Sequence, residues 1–78
     1  MAKQLGYSIW RDGRKAYIGI TSDPDRRASE HRANGIRGEM RIETGRRNPE
    51  SARTWERNAI ETYRRGHGGD LPPKNRQG

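Results

Sequence analysis

The chain of 78 residues has no cysteine, no phenylalanine and no valine, and it has only two leucines. The absence of cysteine excludes disulfide bonds, thiolate zinc sites and a cysteine nucleophile. Apolar residues make up 27% of the chain, and no apolar run comes near the roughly 20 residues of a membrane-spanning helix. The first residues, Met1 to Gln4, do not resemble a signal peptide. We therefore expect no membrane partner.

Large apolar side chains for a core are scarce, because aromatic residues make up 6% of the chain and are joined by six isoleucines. A chain this short has room for a single small domain, residues 1–78, whose core must use nearly all of these side chains. Intrinsic disorder is an alternative on composition alone.

Positive charge dominates the sequence: 17 Lys and Arg face 10 Asp and Glu, which gives a net charge of +7 and a pI near 10.8. Fourteen of the 17 basic residues are Arg. Guanidinium groups bind phosphates through paired hydrogen bonds, so a small domain this basic has the electrostatic character of a nucleic-acid binder. A solvated basic surface, an acidic protein partner and an anionic membrane are the alternatives, although no basic amphipathic helix favours the membrane.

The beginning of the sequence predicts a β-hairpin. Residues 5–10 alternate large and small side chains, and residues 15–21 are rich in β-branched and aromatic residues. The intervening Asp12-Gly13 pair is typical of a type I′ turn, which makes the numbers of paired residues add up to about 25.

A helix and a third strand are expected next. Asp23 can cap free amide groups and Pro24 fits the first helical position, while Asn34-Gly35 is typical of a helix end. Residues 39–43 are a candidate strand.

A second helix is predicted from Asn48-Pro49 to about Arg65, with its end at Gly66. Its apolar residues fall on one continuous face: Ala52, Trp55, Ala59, Ile60 and Tyr63. Residues 66–78 are rich in Gly and Pro and predict a loop or tail. The order of elements indicates an α+β fold, a small three-stranded antiparallel sheet flanked by helices.

Two tyrosines on the hairpin are the first candidates for chemistry. Residues that pair across the Asp12-Gly13 turn should have numbers that add up to about 25. The numbers of Tyr7 and Tyr17 nearly do, so we expect these two residues nearly opposite each other across the hairpin. Taken alone, they are more typical of an aromatic pair that simply packs. Gly19 interrupts the second strand, which indicates a bulge or the close approach of another backbone or a ligand.

Three further candidates lie on the predicted helices. Arg27 and His31 are four residues apart and share a helix face, which is also typical of a solvated polar stripe. Glu56 borders the apolar face of the second helix, where a carboxylate is costly without a partner. That partner is either a structural Arg or a divalent cation, since Mg²⁺ often takes one or two protein carboxylates.

Read together, these residues form one pattern along positions 5–75: Tyr7-Ser8-Ile9, Tyr17-Ile18-Gly19, Arg27, His31, Glu56 followed by Ile60, and Asn75. The pattern resembles the GIY-YIG nuclease family. The second motif of that family is present to the letter, whereas the first reads Leu5-Gly6-Tyr7 instead of Gly-Ile-Tyr. The resemblance implies the same small α+β fold that the order of elements predicts.

The resemblance also implies a mechanism. Glu56 would hold a single Mg²⁺ or Mn²⁺ ion, and Arg27 would clamp the oxygens of the scissile phosphate. Either Tyr7 or Tyr17 would act as general base toward water or orient it. His31 would hold a tyrosine or contact phosphate.

Other residues are expected to bind the nucleic acid: Arg14, Lys15, Arg26, Arg41 and Asn75. Such contacts to phosphate carry little sequence specificity, and we expect DNA rather than RNA as the substrate.

The helical segment from Ala52 to Tyr63, followed by a Gly-rich turn and the residues Leu71 to Arg76, also resembles the C-terminal nuclease domains of bacterial polymorphic toxins. That setting would imply delivery into the cytoplasm of a target cell and an acidic immunity protein as partner. A housekeeping or mobile-element nuclease in the cytoplasm of the producing cell is the alternative. A non-catalytic nucleic-acid-binding module of the same fold, and a basic partner for an acidic protein, are the alternatives from other classes.

Overall fold

A computed structural model describes residues 2–75, in the predicted element order of strand, strand, helix, strand and helix. The strands are β1 (Leu5–Arg11), β2 (Arg14–Thr21) and β3 (Glu39–Ile42), and the helices are α1 (Pro24–Ala33) and α2 (Pro49–Gly66). The strands form one antiparallel sheet in the order β2-β1-β3. The predicted α+β class, with a three-stranded antiparallel sheet and two helices, is confirmed.

The hairpin turn has the backbone conformation that its sequence predicts. Asp12 and Gly13 have φ angles of 55° and 76°, and a type I′ turn requires positive φ at both central residues. Arg11 pairs with Arg14 across the turn, so the tight connection closes directly onto the strands.

A β-bulge then changes the register of the hairpin. Trp10 pairs with Lys15, as the turn predicts, but the next pair is Ile9 with Tyr17. Ala16 is therefore an extra residue on β2, a typical bulge with two residues opposite one. The extra residue shifts the register by one. After the bulge, each side chain of β2 therefore lies on the opposite face of the sheet from the face that an unbulged hairpin would give it.

Both helices begin with the caps expected from the sequence. The Asp23 side chain accepts a hydrogen bond from the Arg26 amide at 3.1 Å, and the Asn48 side chain accepts one from the Ser51 amide at 2.8 Å. The α1 helix is followed by Gly35 with a φ of 80°, the left-handed exit that glycine favours. Local sequence therefore sets the helix ends.

The core is small and centred on the hairpin. The buried apolar side chains come from β1, β2 and α2: Leu5, Tyr7, Ile9, Ala16, Ile18 and Ala52. The Trp55 ring packs so closely over Gly6 that a β-carbon there would overlap it. Glycine is therefore required at this position for α2 to sit on the sheet.

The C-terminal segment is more ordered than the predicted loop or tail. Pro73–Asn75 forms a turn of 3₁₀-helix, and Asn75 clamps the edge strand β2. Its side-chain Oδ1 accepts a hydrogen bond from the Ile18 amide at 2.8 Å, while its Nδ2 donates one to the Ile18 carbonyl at 2.9 Å. The last part of the predicted tail, residues 76–78, lies outside the described residues, as does Met1.

We expect Asn75→Ala to lower the free energy of unfolding by about 1–3 kcal/mol, because it leaves the amide and the carbonyl of Ile18 without their partner at the sheet edge. Urea denaturation followed by circular dichroism measures this change. Lys74→Ala is the matched control, since Lys74 is exposed on the same turn. Equal stability of the two variants would contradict the clamp.

Neither helix within residues 2–75 combines the length with the apolar character that crossing a bilayer requires.

Candidate active site

The bulge places the two hairpin tyrosines on the same face of the sheet. Tyr7 pairs with Gly19 and Tyr17 pairs with Ile9, so the tyrosines, expected nearly opposite each other, are diagonal neighbours across the hairpin. Tyr17 lies diagonally across from Tyr7, and their rings stack with centroids 6.0 Å apart. Without the extra residue Ala16, Tyr17 would face the other side of the sheet.

His31 completes an aromatic cluster with these tyrosines. Its ring centroid lies 4.6 Å from that of Tyr17 and 5.7 Å from that of Tyr7. The Tyr7 hydroxyl and His31 Nε2 are 2.6 Å apart in a buried hydrogen bond. His31 thus holds a tyrosine, one of the two roles that the sequence left open, and only 6% of its surface is exposed.

The protons of this hydrogen bond can be assigned from electrostatics. Burial raises the pKa of Tyr7, and the nearby Tyr17 phenol and Glu56 carboxylate raise it further, while Arg27 opposes them. Burial also lowers the pKa of His31, and Arg27 lowers it further, with Glu30 opposing. Near neutral pH the phenol is therefore protonated and the imidazole neutral, so Tyr7 donates to Nε2 and the ring proton sits on Nδ1.

Gly19 is required by this cluster. A β-carbon at Gly19 would lie 2.7 Å from the Tyr7 hydroxyl oxygen and 2.7 Å from Cε1 of Tyr17. The close approach that the sequence indicated at Gly19 is thus made by two tyrosine side chains. The bulge, the other alternative, is at Ala16.

Arg27 lies at the exposed margin of the cluster. Its Nε is 3.7 Å from Glu30, which also pairs with Arg26 at 3.5 Å. The Arg27 side chain remains 44% exposed, and exposed ion pairs of this kind are weak. Arg27 is thus close enough to lower the pKa of Tyr7, and its side chain is exposed enough to contact a phosphate.

Glu56 approaches the cluster from α2. Its carboxylate is half-buried, and burial alone accounts for the rise in its pKa. Within residues 2–75, no salt bridge to Glu56 exists. Of the two partners considered for Glu56, a structural Arg is therefore not found in the part of the chain that the structure describes.

The donor set of Glu56 fits a single hydrated Mg²⁺ or Mn²⁺ ion. No group of three or more His, Asp or Glu side chains able to hold a metal occurs among residues 2–75. A half-buried carboxylate with no salt bridge inside residues 2–75 suits a cation that takes one protein ligand, several waters and substrate phosphate oxygens. The residues present are thus compatible with the expected ion.

The basic residues expected to bind nucleic acid lie at three places in the structure: beside the hairpin turn, over the Trp10 ring and on α1. Arg14 and Lys15 lie beside the hairpin turn, and Arg41 stacks over the Trp10 ring with its Cζ 4.4 Å from the centroid. Arg26 is exposed on α1.

Asn75 differs from this set, because Ile18 engages both polar groups of its side chain. Asn75 thus has a structural role at the sheet edge, and its expected contact with nucleic acid stays a prediction. No local pattern in the sequence indicates this role, since an amide clamp depends on where the chain returns to the sheet.

Three aromatic residues gather at a place that the sequence did not indicate. Trp10, on β1, lines a groove together with Tyr63 and His67 at the end of α2. Tyr63 on α2 and His67, which caps the end of α2, are four residues apart, and this spacing offered a signal for a shared face. The approach of Trp10 depends on how α2 crosses the hairpin.

Acid is expected to destabilise the wild type more than a His31→Gln variant. Burial lowers the pKa of His31, so the unfolded chain takes up a proton near pH 6.5 that the folded protein resists. This contribution to stability is complete above the unfolded pKa and is lost as the pH falls below it. Urea titrations between about pH 7.5 and pH 5.5 measure the effect. A difference in the free energy of unfolding between the two proteins that stays constant over this pH range would contradict the prediction. His67 is present in both proteins, so its titration does not contribute to the difference.

Comparisons with protein-family models, with curated proteins and with solved structures find no match to this chain.

Proposed function

We propose that this protein is a metal-dependent endonuclease that hydrolyses phosphodiester bonds in DNA with little sequence specificity. One arrangement carries the proposal: His31 shares a hydrogen bond with the Tyr7 hydroxyl, Tyr17 stacks on the Tyr7 ring, and the charges of Arg27 and Glu56 act on the pKa of Tyr7. Perturbed acid–base groups beside an accessible cation are typical of sites for phosphoryl chemistry.

The two tyrosines have different roles in this proposal. Tyr7 is buried and its proton is donated to His31, so these two residues position the cluster. Tyr17 is only half-buried and stacks on both of them. Tyr17 therefore meets the substrate and orients the attacking water through its hydroxyl.

Arg27 and Glu56 complete the site from the two helices. The Arg27 guanidinium binds the non-bridging oxygens of the scissile phosphate, where negative charge develops during the reaction. The Glu56 carboxylate holds the divalent ion. A bound Mg²⁺ or Mn²⁺ would supply Lewis-acid stabilisation of the phosphate and of the leaving oxygen.

The basic surface supports a polyanionic substrate. The net charge of +7 attracts phosphates without reading bases, and such binding weakens steeply as salt is added. Arg14, Lys15, Arg26 and Arg41 are placed to contribute to this attraction.

Cleavage of supercoiled plasmid and of total RNA, each with Mg²⁺, Mn²⁺ or excess EDTA, tests the proposal. We expect metal-dependent cleavage that Glu56→Ala loses and that a control, Glu61→Ala, retains, since Glu61 is exposed on the same helix. The ratio of plasmid to RNA cleavage assigns the substrate. If neither polymer is cut but both are shifted on a gel, the protein is a non-catalytic binding module. If the protein binds neither DNA nor RNA at moderate salt, the protein is a basic partner for an acidic protein.

The biological setting belongs to the same proposal. A toxin domain delivered to the cytoplasm of a target cell would need an acidic immunity protein to cover its basic face during production. Growth arrest on expression of the wild type, but not of Glu56→Ala, would support that setting over a housekeeping nuclease.

A further inference from the structure

A groove between the hairpin and the end of α2 lies outside the proposed active site. It has a volume of about 340 Å³, which is within the range of small-ligand pockets. Trp10 and Lys15 line it from the hairpin, and Tyr63 and His67 line it from α2. We call it the hairpin–α2 groove.

The aromatic rings of the groove present stacking surfaces. Tyr63 and His67 lie parallel, with ring centroids 3.7 Å apart and an angle of 5° between their planes. The imidazole of His67 is fixed by a 2.8 Å hydrogen bond between Nδ1 and the Tyr63 carbonyl. Because His67 is exposed, a planar ligand can approach this pair without unfolding the helix end.

Charge narrows the choice of ligand. Arg14 and Lys15 line the groove, and no carboxylate among residues 2–75 does, so an anion is favoured there. The Lys15 ammonium lies 5.4 Å from the centroid of the Trp10 ring, which brings a cation to the edge of the aromatic surface. A ligand that matches both features has a flat ring joined to a phosphate.

We propose that the hairpin–α2 groove binds one unpaired nucleobase of the substrate, with the adjoining phosphate on Arg14 and Lys15. Aromatic side chains beside basic groups are the usual means of binding single-stranded nucleic acid, because every base offers a π face. A base inside a duplex has both faces covered by its neighbours and does not stack there.

The position of the groove links it to cleavage. This step rests on the proposed nuclease function. Tyr63 lies seven residues after Glu56 on α2, which is about 10 Å along the helix axis. At a spacing of about 3.4 Å per nucleotide, the bound base is within about three nucleotides of the scissile phosphate. The preferred substrate is therefore a strand with unpaired bases close to the cut.

Binding of short oligonucleotides in EDTA tests the groove without cleavage. The probes are a single-stranded 10-mer carrying the fluorescent base 2-aminopurine, the same strand in a duplex, and an abasic strand of equal length. We expect quenching of 2-aminopurine only in the single strand, and about tenfold tighter binding of that strand than of the abasic strand.

Two variants and a matched control separate stacking from charge. His67→Ala is expected to abolish the quenching and the tenfold preference for bases. Lys15→Ala is expected to weaken binding of the base-bearing strand more than Arg53→Ala does, because Arg53 is exposed near the start of α2, away from the groove. Thermal unfolding of each variant checks that it is folded.

The groove proposal is overturned if the wild type binds the abasic strand as tightly as the normal strand, or if folded His67→Ala keeps the preference. These results leave the proposed cleavage standing. Conversely, base-dependent binding by a protein that cuts neither polymer in either metal would support the groove and overturn the nuclease.

Discussion

Glu56→Gln is expected to reduce the rate of metal-dependent cleavage by about a hundredfold to a thousandfold, and at the same time to make the protein more stable. The amide keeps the size of the side chain but loses the charge that would hold the divalent ion. Plasmid nicking under single-turnover conditions measures the rate, and gel shifts in EDTA check that binding to DNA remains.

The gain in stability follows from the burial of the Glu56 carboxylate. Burial raises the pKa of Glu56 above its ordinary value of 4.5. Burying the ionised carboxylate therefore lowers the free energy of unfolding. This loss of stability is absent below pH 4.5 and complete above the raised pKa. Glu56→Gln removes this loss, so we expect a higher free energy of unfolding than in the wild type near pH 7.5 and no difference near pH 4. Residues at functional sites often make a protein less stable than a substitution at the same position would.

Metal ions provide a readout of Glu56 other than activity. Added Mg²⁺ is expected to raise the melting temperature of the wild type, since a ligand that binds only the folded state stabilises it, and to leave Glu56→Gln unchanged. Glu61→Gln, one turn further along and exposed, is the control and should respond as the wild type does. If Glu56→Gln cut DNA at the wild-type rate, Glu56 would not be the metal ligand.

Gly19→Ala is expected to lower the free energy of unfolding by about 1–3 kcal/mol and to disrupt the aromatic cluster. The new methyl group would lie 2.7 Å from the hydroxyl oxygen of Tyr7. Because Tyr7 is 1% exposed and bonded to His31, it has no free space to move into. Relief of the contact therefore breaks that hydrogen bond or pushes the strands apart.

A double-mutant cycle identifies the cause of this loss. Tyr7→Phe removes the hydroxyl that the methyl group meets, so Gly19→Ala should cost less in the Tyr7→Phe background than in the wild type. Gly45→Ala is the control, since no atom lies within 4 Å of its added β-carbon. Equal costs of Gly19→Ala in both backgrounds would show that the strain arises elsewhere. Urea denaturation measures all of these variants.

Local signals were sufficient for the elements of the fold. The Asp12-Gly13 turn, the Asp23 and Asn48 caps and the Gly35 exit all have the predicted conformation, because each depends on a few neighbouring residues. The class of the fold followed from the order of these elements.

Features that depend on two distant segments were missed. The bulge at Ala16 has no signal in its own sequence, and the turn alone predicted the wrong register for Tyr17. The sequence predicts a loop where a turn of 3₁₀-helix brings Asn75 to Ile18, because the clamp exists only once the sheet edge is formed.

The candidate site divides in the same way. Residue types show which side chains are available: two tyrosines, a histidine, an arginine and a carboxylate at the border of an apolar face, on a chain with a net charge of +7. Tertiary structure alone decided that Ala16 turns Tyr17 toward Tyr7, that His31 accepts the buried phenol proton, and that Trp10 meets the end of α2. The physical reason is that residue type fixes the chemistry of a side chain, whereas register and packing, which fix its neighbours, are set by the whole fold.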